Sequence, residues 1–137
     1  ADAAAYFEVA LFEFYREREA AANVEKASKP DFTFGTAYSF LGVTGVDKGE
    51  YSVPFQLFKK VVETTAAQPD DATKTLYALA TGNLGLIYRA RGDYHQASEL
   101  LAQADELLSS LGFPMESQQI KKYREIVRLE STSSAKQ

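Results

Sequence analysis

Two stretches of this sequence repeat one another when the chain is shifted by 43 residues. The identical pairs include Ala37 and Ala80, Leu41 and Leu84, Gly42 and Gly85, Gly49 and Gly92, Tyr51 and Tyr94, and Leu57 and Leu100. In each copy a Leu-Gly pair lies inside a helical pattern, and a Gly-acid-Tyr turn leads into a second helix. A glycine inside a helix costs about 1 kcal/mol relative to alanine, which a close approach by a neighbouring helix offsets. The repeat therefore predicts helical hairpins that stack on one another.

Apolar side chains recur at three- and four-residue steps along most of the chain, which is the periodicity of α-helices. Pro54 suits the first turn of one helix, and Asp93 suits the N-cap of another. Either Asp70 or Asp71 is a further N-cap, and Gly112 suits the left-handed position after a helix. The predicted helices cover 2–22, 33–48, 54–68, 71–91, 94–111 and 115–130. The sequence thus predicts an all-α chain of about six helices.

Length and composition predict a single folded domain. The chain has 137 residues, of which 45% are hydrophobic and 25% charged, so it can build one core. This domain is expected over residues 1–131, and small polar residues at 132–137 predict a flexible tail. Its predicted parts are an aromatic N-terminal helix (1–23), a degenerate hairpin (33–68), a clear hairpin (71–111) and a capping helix (114–131).

Several classes of function are disfavoured by composition. The sequence has no cysteine and one histidine, which excludes disulfide scaffolds, thiolate metal sites and multi-histidine metal sites. The net charge of -4 has the wrong sign for a protein that neutralises phosphates over a wide surface, so no nucleic acid is expected as a partner. No apolar run is long enough to span a bilayer, and no signal peptide is recognisable. Localisation stays open.

The candidate catalytic residues have simpler interpretations. His95 follows a turn at a helix start, with no nucleophile or second ligand near it in the sequence. The acid pairs are Asp70 with Asp71 and Glu17 with Glu19, which suit helix caps and solvated faces. The glycine spacing matches no phosphate-binding loop. We therefore expect a non-enzymatic protein without a metal or cofactor.

Residues 78–111 resemble a tetratricopeptide repeat. The residues that carry the resemblance are Asn83, Leu84, Gly85, Tyr88, Gly92, Asp93, Tyr94, Ala97, Leu101 and Ala104. The sequence departs from the family at Thr81, where tryptophan is frequent, and at Leu101, where an aromatic residue is common. The offset of 43 residues exceeds the family's usual length of about 34 and resembles the longer-helix variants found in kinesin light chains. The resemblance implies antiparallel helical hairpins stacked as a short right-handed α-solenoid.

The resemblance also implies a function. Tetratricopeptide arrays bind partners in a concave groove lined by the first helices of successive hairpins. The groove residues implied here are Phe40, Val43, Asn83, Leu86 and Arg89. The cluster of lysines and asparagines that clamps a C-terminal carboxylate in some members is not matched. The expected function is therefore an adaptor or scaffold subunit that binds a partner protein or peptide by apolar contacts, within a larger complex or alone.

Two alternatives stay open at the level of sequence. The first is a regulatory or sensory domain whose groove takes a short peptide signal. The second concerns the interface, because the N-terminal helix is apolar on so many sides that Tyr6, Phe7 and Phe12 are an alternative binding surface. If the groove hypothesis holds, Leu86 and Arg89 are exposed, and substituting both weakens binding without lowering the melting temperature.

Overall fold

The computed structural model of the chain describes residues 2–22, 51–67 and 70–135. The helices in these ranges are α1 (Asp2–Ala22), α2 (Ser52–Thr65), α3 (Asp71–Ala90), α4 (Tyr94–Ser110) and α5 (Pro114–Ala135). All regular structure in the described ranges is helical, so the predicted all-α class is confirmed. The predicted helix at 33–48, with Leu41, Gly42 and Gly49 of the first copy, lies outside the described residues.

The helices begin where the sequence predicts. The Asp70 carboxylate caps α3 by accepting a hydrogen bond from the Thr73 N–H at 3.0 Å. The Asp93 carboxylate caps α4 by accepting one from the Gln96 N–H at 3.3 Å. Pro54 lies in the first turn of α2, where its missing N–H leaves no helical bond unmade. Short-range chemistry therefore sets these helix starts.

Helices α3 and α4 end in turns of the same geometry. Gly92 and Gly112 follow the two helices with φ of 81° and 87°, in the left-handed region that glycine adopts without a steric cost. After α3, the Asp93 N–H donates to the Tyr88 carbonyl at 2.9 Å, and the equivalent bond closes the turn after α4. These are Schellman turns, which satisfy carbonyls at the helix end. Each turn is short enough to fold the following helix back onto the one before it.

Consecutive helices pack against one another along the chain, and α3 also touches α1 and α5. Helix α3 is therefore central, and from residue 78 to residue 90 only Leu79 and Tyr88 are less than fully buried. The described ranges contain no helix long and apolar enough to cross a membrane.

Aromatic side chains join α1 to α2. The Phe14 ring meets Tyr51 and Phe58 edge-on, with centroids 4.9 and 6.0 Å apart, and Phe7 meets Phe58 at 5.8 Å. All four residues are buried. Such pairs contribute about 0.5–1.5 kcal/mol each beyond the apolar area that they bury. Among the described residues, α1 thus packs on α2 as α3 packs on α4.

A glycine allows α3 and α4 to approach closely, as the repeat pattern predicts. A Cβ atom built on Gly85 would lie 2.9 Å from Leu101 Cγ and 3.3 Å from the Ala97 carbonyl oxygen. Leu101, Ala97 and Ala104 of α4 are all fully buried. The second copy of the repeat is therefore a tightly packed helix pair.

Helix α5 covers the last apolar face of α4. It buries Ile120, Tyr123 and Val127, which recur along the helix at three- and four-residue steps. The helix continues to Ala135, beyond residue 131, where the sequence predicts that the folded domain ends. The Thr132 hydroxyl donates a hydrogen bond to the Arg128 carbonyl, one turn earlier in the same helix, at 3.0 Å.

Candidate interaction surface

The predicted groove residues on α3 are buried. Asn83, Leu86 and Arg89 are 0, 2 and 2% exposed. The Asn83 amide donates to the Leu79 carbonyl at 2.8 Å within its own helix. These three side chains therefore form no open surface in the described part of the structure, and the groove itself stays a prediction. Phe40 and Val43, the other predicted groove residues, lie outside the described residues.

Arg89 is held by a charged partner instead of solvent. Its Nε and one terminal nitrogen donate to the two carboxylate oxygens of Glu130, both at 2.9 Å. Glu130 lies near the end of α5, and Tyr94 at the start of α4 lies beside the pair. Burial and the Glu130 charge raise the pKa of the Tyr94 hydroxyl. The ion pair between Arg89 and Glu130 therefore joins α3 to α5.

The sequence signal for this pair was present in α5. Glu130 continues the three- and four-residue steps of the inward positions Ile120, Tyr123 and Val127. A carboxylate on an otherwise apolar stripe needs a buried cation. Periodicity on α3 identified the face that bears Arg89, but it does not say which other helix covers that face.

The alternative interface on α1 is divided between the core and the surface. Phe7 is buried against Phe58, and Tyr6 is half-buried with the Lys60 ammonium 4.4 Å from its ring centre. Phe12, in contrast, is 56% exposed. Of the three aromatic residues predicted here, Phe12 is the one that faces solvent.

Phe12 belongs to a row of exposed side chains along α1, which we call the outer strip. Its members are Ala5, Glu8, Val9, Phe12 and Arg16. They lie opposite the buried positions 7, 10, 11 and 14 of the same helix. Val9, which the sequence analysis does not assign to the interface, is 49% exposed and one turn from Phe12. The outer strip therefore presents two large apolar side chains side by side.

The other large apolar side chains exposed in the described ranges are more scattered. Val53 begins α2, whereas Met115 and Leu129 lie near opposite ends of the long α5. At 1.5 Å per residue, the two α5 positions are about 20 Å apart. Single exposed apolar residues are normal on protein surfaces. The outer strip differs from these positions because its two exposed apolar side chains, Val9 and Phe12, are adjacent on one helix.

A second polar cluster lies between α4 and α5. Asp105 accepts hydrogen bonds from Ser117 at 2.6 Å and from Lys121 and Arg124 at 2.8 Å. Burial disfavours ionisation of Asp105, but these three donors outweigh it and keep its pKa below the usual value. This cluster was not predicted from the sequence, although positions 117, 121 and 124 share one face of α5. Lys121 and Arg124 both bind the Asp105 carboxylate, so the cluster is part of the packing between α4 and α5.

The candidate catalytic residues do not converge. His95 is 84% exposed, and its Nε2 lies 3.1 Å from the Glu99 carboxylate on the next turn. Asp70 is engaged as a helix cap, and Asp71 lies in the first turn of α3. Glu17 and Glu19 belong to α1, and their side chains lie outside the described part of the structure. Within the described ranges, no group of three or more acidic or histidine side chains is arranged to hold a metal ion.

Comparisons with known proteins give no match to this chain, whether against protein-family models, curated proteins or solved structures. A function for this chain must therefore be inferred from the chemistry of the side chains described above. On that basis the outer strip of α1 is the strongest candidate for contact with another molecule.

Proposed function

We propose that this protein is a non-enzymatic interaction module, an adaptor or scaffold subunit that binds a partner protein through the outer strip of α1. The observation that carries the proposal is the adjacency of exposed Val9 and Phe12 on a helix whose opposite face is anchored in the core. Each side chain is already about half buried, so burying the rest of it in an interface gains about half of the roughly 1.5–3 kcal/mol of full burial. The anchored aromatic face keeps the strip in place before a partner arrives.

We further propose that the helices form a tetratricopeptide-like array. Its support is the packing of the second hairpin, where Gly85 meets Leu101 and Ala97 at close range and Gly92 turns the chain. These residues perform the packing that the family pattern requires of them. The binding surface differs from the family's groove, because Leu86 and Arg89 are buried.

A photo-crosslinking amino acid tests the proposed interface. Replacing Phe12 with benzoylphenylalanine places the reactive group in the outer strip, and the same replacement at Leu129 is a matched control, since the two positions are 56 and 54% exposed. Irradiation in extracts of the cells that naturally make this protein should give a discrete protein adduct from position 12 and none from position 129. Equal adducts from both positions, or no adduct from either, would show that the outer strip is not an interface.

A further inference from the structure

The outer strip carries charges in a symmetric arrangement. Glu8, Phe12 and Arg16 are spaced by four residues, so they form one ridge along α1 with Phe12 at its centre. The rise of an α-helix places the acidic and the basic residue about 6 Å on either side of Phe12. All three side chains are exposed, with Arg16 at 68%.

This arrangement is complementary to itself. When two copies of the ridge meet antiparallel about a two-fold axis near Phe12, Glu8 of each copy faces Arg16 of the other. The two Phe12 rings meet at the axis, where aromatic pairs favour edge-on or offset contact. A two-fold interface requires this kind of self-matching, because the same patch is used by both subunits. A parallel arrangement would instead bring like charges together.

We propose that the partner of the outer strip is a second copy of this chain, joined through an antiparallel α1–α1 contact centred on Phe12. The inference rests on the proposed function in taking the outer strip as the interface. It adds the identity of the partner and the register of the contact.

Arg16 has a partner within its own helix, and this is compatible with the contact. The guanidinium lies 2.5 Å from the Glu13 carboxylate, three residues earlier. Exposed pairs of this kind contribute little free energy. Arginine has five N–H donors, so it can bind a second carboxylate without losing the first.

The expected affinity is low. A contact between two single helices buries less surface than the roughly 1,600 Å² of a standard stable interface. We therefore expect a weak, reversible dimer whose population rises across the concentration series.

Charge reversal tests both the partner and the register. In sedimentation velocity over a concentration series, wild-type protein should dimerise, whereas Glu8→Arg and Arg16→Glu should each weaken dimerisation by about tenfold or more, since each opposes like charges. The double variant should regain dimerisation. An equimolar mixture of the two single variants should form heterodimers, because every opposed pair in it has opposite charges.

Two controls separate this contact from other surfaces. Glu125→Arg reverses an exposed glutamate that, like Glu13, pairs with an arginine three residues later, and it should leave dimerisation unchanged. Phe12→Ser should abolish dimerisation, whereas Leu129→Ser should not. Melting curves by circular dichroism should confirm that each variant keeps the wild-type fold.

The inference is overturned if the wild-type chain stays monomeric throughout the series, if dimerisation is insensitive to Glu8→Arg, or if the mixed single variants fail to associate. A monomeric chain whose position 12 crosslinks to a different protein would overturn self-association and leave the proposed function standing. Absence of crosslinks at position 12 together with absence of dimers would overturn both.

Discussion

A buried carboxylate between α4 and α5 shows how single residues hold this protein together. Asp105 is 6% exposed, and three donors from α5 surround it. Leaving such a group without partners costs more than an ordinary hydrogen bond contributes. Because Lys121 and Arg124 are about half exposed, part of their charge is solvated whether or not the carboxylate is present.

Asp105 should make stability depend on pH in the acid range. Its pKa in the folded protein lies below the usual value of 3.8, so its contribution is complete above that value and is lost as the pH falls through the lower folded-state pKa. Asp105→Asn should lower the free energy of unfolding at neutral pH by about 1–2 kcal/mol. It should also flatten the decline below about pH 4.

Urea unfolding at a series of pH values measures both effects. Glu106→Gln, at the next position of α4 with an exposed side chain, is the matched control and should preserve the wild-type pH profile. A decline of equal steepness in the Asp105→Asn variant would contradict the assigned role of this carboxylate.

At the scale of elements, helix separation depends on a missing side chain. Gly85 lets α3 lie against Leu101 and the Ala97 carbonyl of α4, and the backbone atom cannot move aside as a side chain can. Glycine lowers helix propensity here by about 1 kcal/mol, which the close packing offsets. The contact between α3 and α4 therefore leaves no room at position 85 for a side chain larger than that of glycine.

Gly85→Leu should destabilise the protein far more than His95→Ala. The added side chain overlaps Leu101 and forces the two helices apart, which costs about 1–3 kcal/mol or more. The His95 side chain is 84% exposed, and surface substitutions usually change stability by less than about 0.5 kcal/mol. Thermal melting of both variants measures the difference, and equal melting temperatures would contradict the close contact.

At the scale of the whole molecule, α3 is the element that the others surround. It packs against α2 and α4 and touches α1 and α5. The ion pair between Arg89 and Glu130 joins two helices separated by 41 positions in the sequence. The buried Arg89 therefore has its counter-charge only when α5 is packed against α3.

Glu130→Gln should destabilise the whole described domain. Removing the carboxylate leaves the Arg89 charge buried without a counter-charge, and breaking a buried pair in this way costs about 3–5 kcal/mol. Replacing both members, as in Arg89→Met with Glu130→Leu, should recover most of the loss. Urea unfolding monitored by circular dichroism gives the free energies.

Glu125→Gln is the control for this substitution, because its carboxylate pairs with Arg128 in solvent on the same helix. It should leave the midpoint of unfolding close to that of the wild-type protein. If Glu130→Gln behaves like Glu125→Gln, the buried pair does not stabilise the docking of α5.

Features that depend on neighbouring residues could be predicted from the sequence alone. The caps at Asp70 and Asp93 and the left-handed turns at Gly92 and Gly112 follow from hydrogen-bonding and steric preferences that operate over a few positions. The helices were predicted from the periodicity of apolar residues, and the close helix contact at Gly85 was predicted from the repeat. These predictions hold because local chemistry already contains their causes.

The contacts that each helix face makes could not be predicted in this way. Leu86 and Arg89 have the spacing of a surface row, but α3 is covered on so many sides that both are buried. Tyr51 adopts a φ of 57°, which packing against Phe14 supports and local preference opposes. Phe12 has the same aromatic character as the buried Phe14. Burial depends on contacts between distant parts of the chain, and residue type and spacing do not encode which of those contacts form.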